Sequence, residues 1–196
     1  MPSPTSGTPH VPEVRPRVPF GPDARDARRV NWLHRFHLGD RPVAAVGWLD
    51  VERGSSLVNR CLGALLRLPR AGAHQQLQVR IADTDGLERW HRRIGGRRLD
   101  SRQRRVGNVL VEYAGPVELR MRMEVTDDRL TLTPLGGALR IGRMKIPLPT
   151  VVAPHTAAVA TSTDDGFEVE VRIWVPLVGL LIAYRGHVCE EVAVDG

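Results

Sequence analysis

From Val117 to Val125 the chain alternates without exception between apolar and charged side chains, with Val117, Leu119, Met121, Met123 and Val125 set against Glu118, Arg120, Arg122 and Glu124. Successive side chains of a strand point to opposite faces, so this segment reads as a strand with one face buried and one wet. Phe167, Val169, Val171, Ile173 and Val175 repeat the rhythm against Glu168, Glu170, Arg172 and Trp174, and Leu77, Val79 and Ile81 share a face upstream. Turn signals at Asp85-Gly86, Gly95-Gly96, Gly115-Pro116, Asp127-Asp128, Gly136-Gly137 and Asp165-Gly166 cut the chain into short segments. That spacing favours antiparallel meanders over helix-connected parallel strands. No G-x-G-x-x-G opens a helix, and Gly136 to Gly142 has the wrong spacing for one, which argues against a dinucleotide-binding fold.

Arg41 to Glu52 reads as an earlier strand with substantial residues on both faces. Ser55 and Ser56 then offer a helix cap, and Leu57, Val58, Cys61, Leu62, Leu65, Leu66 and Leu68 form an apolar stripe as far as Pro69, opposite Asn59, Arg60, Gly63 and Arg67. An apolar stripe of this kind is expected to pack on the sheet, burying Cys61. The expected fold is mainly β with some helix (α+β): a strongly curved antiparallel sheet or open barrel of roughly 8–10 strands around one amphipathic helix. Asp23 to His37 has the composition of a further short N-terminal helix, while Met1 to Pro22 carries seven prolines and reads as a disordered tail. Residues 23–196 are then a single β-rich domain.

Composition excludes several classes. The longest apolar run, Val175 to Tyr184, is ten residues, against the roughly 20 of a membrane-spanning helix. Cys61 and Cys189 match no metal or redox spacing, and no apolar segment of the signal-peptide kind lies before Pro22, so a reducing cytoplasm is the expected compartment. Of the 28 basic residues 27 are Arg, a bias better assigned to codon usage than to function, which weakens any argument from the net charge of +6.

Several motifs stand in a characteristic order: Val51-Glu52-Arg53-Gly54 before the Leu-rich segment, Glu88-Arg89-Trp90, Gly96-Arg97-Arg98, Gly115-Pro116, Pro147-Leu148-Pro149, Pro176-Leu177-Val178-Gly179 and Tyr184-Arg185-Gly186. Their order and spacing resemble a bacterial family, the domain of unknown function 4166. The resemblance covers about Asp23 to Val192 and implies no activity. It does imply stand-alone chains or partners of NAD(P)-binding dehydrogenase-like domains. Where the family tends to carry a Trp before Pro147, this chain has Arg140, Ile141 and Arg143.

Arg89 to Arg105 holds eight arginines in 17 residues. Trp90 is its one aromatic, so nucleic acid, which needs stacking platforms or a groove-reading helix, is not the expected partner. Alternation puts Arg89, His91 and Arg93 on one face and Glu88, Trp90, Arg92 and Ile94 on the other. His34 and His37 lie one helical turn apart, but no third ligand completes a metal site. Neither a G-x-S-x-G nor another catalytic constellation is present, and no cofactor or catalytic residue is assigned, so the reading leans away from an enzyme. The expected function is a non-catalytic binding module for an apolar or lipid-like small molecule with an acidic group. Arg53, Arg93 and Arg185 are expected at the acidic end, Trp48, Trp90 and Tyr184 around the apolar body, and Glu52 facing the same pocket. The alternative is an accessory domain that docks onto a dehydrogenase-like partner.

Overall fold

The first and last strands among the described residues meet, and that pairing makes the sheet a tube. The computed structural model describes residues 43–126 and 128–191; the proline-rich tail, the expected helix at residues 23–37 and residues 192–196 lie outside them. The strands run β1 (Val43–Arg53), β2 (Gly72–Thr84), β3 (Leu87–Ile94), β4 (Arg97–Val106), β5 (Val109–Ala114), β6 (Val117–Val125), β7 (Arg129–Ile141), β8 (Met144–Pro147), β9 (His155–Ser162), β10 (Phe167–Val175) and β11 (Gly179–Glu190). One helix, α1 (Leu57–Leu65), separates β1 from β2. All pairings are antiparallel, in the order β6-β5-β4-β3-β2-β1-β11-β10-β9-β7, and β6 pairs with β7 to complete the ring. The expected open barrel is therefore corrected to a closed one of ten strands, with β8 as an arm hydrogen-bonded to the end of β7. Closure leaves no sheet edge for unwanted pairing along the wall, which an open sheet of this size would expose.

Closing the ring requires β1 and β11 to bend tightly where they meet. Gly47 is aligned with Val188, and Gly186 with Leu49. A Cβ on Gly47 would stand 2.1 Å from the His187 carbonyl oxygen, and one on Gly186 2.0 Å from that of Trp48. Both obstacles are backbone, which cannot swing aside. Gly47→Ala is therefore expected to lower stability by about 2 kcal/mol, read as a shift in the urea midpoint at unchanged slope; an unaltered midpoint would mean the strands do not approach this closely. Gly136-Gly137, expected as a turn, instead lies within β7, where Leu135 is bulged out between the pairs Met121–Pro134 and Arg120–Gly136. A bulge of one residue lets the strand kink without ending.

The alternating pattern now has its physical meaning. Leu119 and Met121 of β6, Val171 of β10, and Leu77, Val79 and Ile81 of β2 are buried in one core inside the tube. Arg122, Glu168 and Arg172 are exposed on the outer wall. A charged outer wall around an apolar interior is the reverse of a membrane-spanning barrel. No helix among the described residues is long and apolar enough to cross a membrane.

The helix is the main correction. It does not occupy the concave side of the sheet, and it buries its apolar stripe only in part: Leu62 and Leu66 are half-buried against the core and Leu68 is buried. Its buried residues are Asn59 and Gly63, while Leu57, Val58, Cys61 and Leu65 are exposed. The cause is Arg53 at the end of β1. Its guanidinium donates from Nε to Leu181 O at 2.8 Å, from Nη1 to Pro69 O at 3.0 Å and from Nη2 to Asn59 O at 3.3 Å. Buried carbonyls need donors, and Arg53 serves one on β11, one in the loop after α1 and one on α1 itself only by lying over Gly63, where a Cβ would fall 1.4 Å from Nη2. Asn59 Nδ2 adds a bond to Val178 O at 3.2 Å. The polar and small face is thus pinned to the rim and Leu57 and Leu65 are turned outward, while Leu62 stays half-buried against the core. The helix is also shorter than the stripe. Arg67 adopts a left-handed φ of 52°, and Leu68 N donates to Gly63 O at 2.9 Å, a Schellman-type stop ahead of Pro69.

Candidate functional site

Inward-facing side chains of a closed barrel meet across its axis, so a polar side chain in an apolar row must find its partner inside. Arg92 is such a side chain. It lies on β3 between Trp90 and Ile94, both buried. Its Nη2 reaches Glu112 Oε1 on β5 at 2.8 Å and also contacts Ser101 Oγ on β4. The two charged side chains are only 14% and 12% exposed. The guanidinium carbon stands 5.5 Å from the centre of the Trp90 ring, and Trp90 Nε1 donates to Glu88 Oε2 at 2.8 Å. Tyr184 of β11 completes the cluster against Arg92.

Charge and burial compete here, and their balance has a direction. Burial pushes the Glu112 carboxyl up, but the Arg92 charge and hydrogen bonds from Ser101, Arg92 and Gln103 more than offset it, so it stays below the usual carboxylate range. Burial likewise opposes the Arg92 charge, and Glu112 with Tyr184 more than restores it, leaving the guanidinium firmly protonated. For Tyr184 burial dominates and its phenol is pushed up. The site is a neutral pair made of two full charges, with a protonated phenol beside it.

Beside the pair lies an internal cavity of about 110 Å³, whose lining includes Arg92, Glu112, Gln103, Thr156, Ala158 and Tyr184 among apolar residues. Two of its polar atoms, Arg92 Nε and Thr156 Oγ1, are buried without a hydrogen-bond partner. Unpartnered buried donors are rare and call for an explanation. One row further along the same inward faces the tube widens into a cleft of about 800 Å³. Leu119, Ala114 and Ile173 line the cleft where Met121, Glu112 and Val171 line the cavity, each pair two residues apart on one strand. Leu99 of the cleft is the register partner of Arg92. The two spaces are successive layers of one lumen. Its mouth lies under the end of α1, between Leu65, Leu66 and Leu68 on one side and Arg97, Arg98 and the Gly115-Pro116 turn on the other.

A family model described as Domain of unknown function (DUF4166) matches residues 27–188. The chain belongs to that family. For the DUF4166 chain no match is found among curated proteins. It is similar to a solved structure of a protein with unknown function from the DUF3598 family of Nostoc punctiforme, with a TM-score of 0.49 and 11% identity. That alignment covers 78% of this chain and 51% of the other, so the DUF4166 chain spans about half of that protein's length.

Of the side chains expected to bind a ligand, the barrel brings only Trp90 and Tyr184 together in the lumen. Arg53 sits at the rim with its guanidinium engaged by three carbonyls. Glu52 and Arg93 are exposed on outward-facing positions. Arg185 is 75% exposed on the outer wall, 4.0 Å from Asp50, and Trp48 stacks on His74 there with ring centres 4.9 Å apart. Arg92, Glu112, Gln103 and Thr156 were not singled out by the sequence. The signal for Arg92 existed: an alternation that places Trp90 and Ile94 inside places Arg92 with them. Cys61, expected to be buried, is exposed. Among the described residues no group of three or more His, Cys, Asp or Glu side chains is arranged to hold a metal ion.

Proposed function

We propose that this DUF4166 chain is a non-catalytic binding module that takes an apolar or lipid-like small molecule into its lumen, with the molecule's polar end against Arg92. The observation that carries the reading is the pair of unpartnered buried atoms, Arg92 Nε and Thr156 Oγ1, on two residues that line one small cavity beneath a large apolar cleft. Cavities that take small molecules are of about 300–1,000 Å³, apolar with a few placed polar groups, and the cleft is of that size. The polar end is narrowed by the charge balance. Glu112 already matches Arg92, so a carboxylate would bring an uncompensated buried charge. An acceptor oxygen without full charge, as in an ester, a carbonyl or a protonated acid, satisfies Arg92 Nε without that penalty. The reading of an accessory domain for a dehydrogenase-like partner would use the exposed leucines of α1, but it leaves the two orphaned atoms unexplained.

The test is direct. Protein purified without detergent is expected to carry an apolar adduct in native mass spectrometry. After solvent extraction it should bind the uncharged fluorophore N-phenyl-1-naphthylamine, and a long-chain methyl ester should displace the fluorophore at least as well as the carboxylate of the same length at pH 7. A clean apo mass together with unchanged fluorescence would sink the reading, and preferential displacement by the carboxylate would sink the assignment of the polar end.

A further inference from the structure

The outer surface is uneven in one respect. Among the described residues thirteen large apolar side chains are exposed, and nine of them lie at the mouth end of the barrel. On α1 they are Leu57 (73%), Val58 and Leu65 (77%), a face interrupted by no charge. At the turn between β10 and β11 stands Leu177, 74% exposed. The β7–β8 hairpin adds Ile141 and Met144, register partners on one face. This hairpin projects, because Arg140 N already bonds to Pro116 O in the β5–β6 turn at 2.7 Å and Ile141 to Met144 run on beyond it.

Charge is uneven at the same place. Arg60, Arg67, Arg98, Arg143 and Lys145 are exposed around the mouth, with Arg97 half-buried at its edge. Opposing them, Asp100 is engaged by Arg98 and His91, and the Glu118 carboxylate, 1% exposed, is held beneath Arg120, Arg140 and Lys145. Among the described residues Glu52 is the remaining exposed carboxylate there. An apolar surface ringed by cations fits a surface that is itself apolar beneath an anionic skin, and a bilayer containing acidic lipids has that layering.

We propose that the mouth of the barrel docks on an anionic lipid bilayer, with the outward leucines of α1 and the tip of the β7–β8 hairpin entering the headgroup–acyl boundary while the arginines meet lipid phosphates. The role of docking as the route by which a lipid-like molecule enters the lumen rests on the function proposed above; the docking itself does not. It also gives a reason for the outward turn of Leu57 and Leu65, since Arg53 and Gly63 hold them where a bilayer would meet them.

The experiment is cosedimentation of the full chain with vesicles of phosphatidylcholine containing roughly a third phosphatidylglycerol, in about 0.15 M salt. Binding at least about tenfold stronger than to phosphatidylcholine alone is expected. The variant L57S/L65S/M144S, which keeps every charge, should bind at least about tenfold more weakly, whereas R104Q/R122Q, which removes two cations from the outer wall, should lose less than about threefold. Circular dichroism and the urea midpoint confirm that each variant is folded. Equal binding by the wild type and the serine variant, or a larger loss in R104Q/R122Q, would mean that net charge alone attracts the vesicles and would overturn the proposal. So would a lipid-free dimer that the serine variant dissolves, which would show the face already covered by a second copy. Failure to bind the naphthylamine probe in the absence of vesicles concerns the lumen alone and separates the two readings.

Discussion

Glu112→Leu is expected to destabilise the barrel by about 3–5 kcal/mol, while Arg92→Met combined with Glu112→Leu recovers most of that loss. The asymmetry follows from what each change leaves behind. With Glu112 gone, Arg92 keeps a guanidinium that cannot give up its proton, 14% exposed and with Ser101 as its remaining polar contact at Nη2. An uncompensated charge in an apolar lumen is among the few single changes that reach this size. With Arg92 gone, Glu112 can take up a proton and keep its bonds with Ser101 and Gln103, so Arg92→Met alone should lie between the wild type and Glu112→Leu. In the double variant neither charge is buried, and two apolar side chains of similar length occupy the space. Urea midpoints at constant slope measure all four proteins. A loss below about 1 kcal/mol for Glu112→Leu would place the pair in the range of solvated surface bridges and refute the picture of a dry interior.

The same pair sets the acid limb of stability. In the folded barrel the Glu112 carboxyl lies below its unfolded value, because Arg92 and the hydrogen bonds outweigh burial. A group depressed on folding contributes stability that is present above its unfolded pKa, about 4.3, and is lost as pH falls through the lower folded value. Glu118 acts in the same sense: burial pushes it up, and Lys145, Arg120 and Arg140 bring it down further than that. Glu88 acts in the opposite sense, since burial raises it despite the hydrogen bond from Trp90. Arg92→Met should reverse the sign at Glu112, leaving burial as the dominant influence. That variant should lose least stability relative to the wild type near pH 4 and most near pH 7.

Much of this was legible in the sequence, for identifiable reasons. The alternation in Val117 to Val125 and in Phe167 to Val175 is local, and a period of two leaves one choice of buried face. The turns at Asp85-Gly86, Gly95-Gly96 and Gly115-Pro116 are local as well, and each is a turn in the structure. Closure was not legible, because it depends on β1 meeting β11 across the length of the domain, and glycines such as Gly47 and Gly186 do not reveal from sequence that a neighbouring carbonyl needs their missing Cβ. The helix misled for a different reason. Its apolar stripe pointed inward by the usual rule, but three carbonyls at the rim bound Arg53 and turned Leu57, Val58, Cys61 and Leu65 away, leaving Leu62, Leu66 and Leu68 to meet the core. Arg92 was hidden by its neighbours: within a run of arginines that face water, one of the wrong parity looks like one more surface charge, and only the strand register shows that it faces Glu112.

Filling the lumen should separate binding from folding. Ala158 lies on β9, 9% exposed, and lines the cavity of about 110 Å³. Ala158→Phe places a ring where the structure has empty space, so it is expected to change stability by less than about 1.5 kcal/mol while weakening the naphthylamine probe roughly a hundredfold, equivalent to about 2.7 kcal/mol. Ala45 supplies the contrast. It is 1% exposed on β1, is aligned with Val79, and does not line the cavity. Ala45→Phe must displace packed neighbours and should lower stability by about 3 kcal/mol, with binding reduced only in proportion to the unfolded fraction. If Ala158→Phe is as damaging to the fold as Ala45→Phe, the interior is already full and Arg92 Nε faces packed side chains. If Ala158→Phe folds normally and still binds the probe at full strength, the probe sits elsewhere, and the lumen loses its claim to be the site.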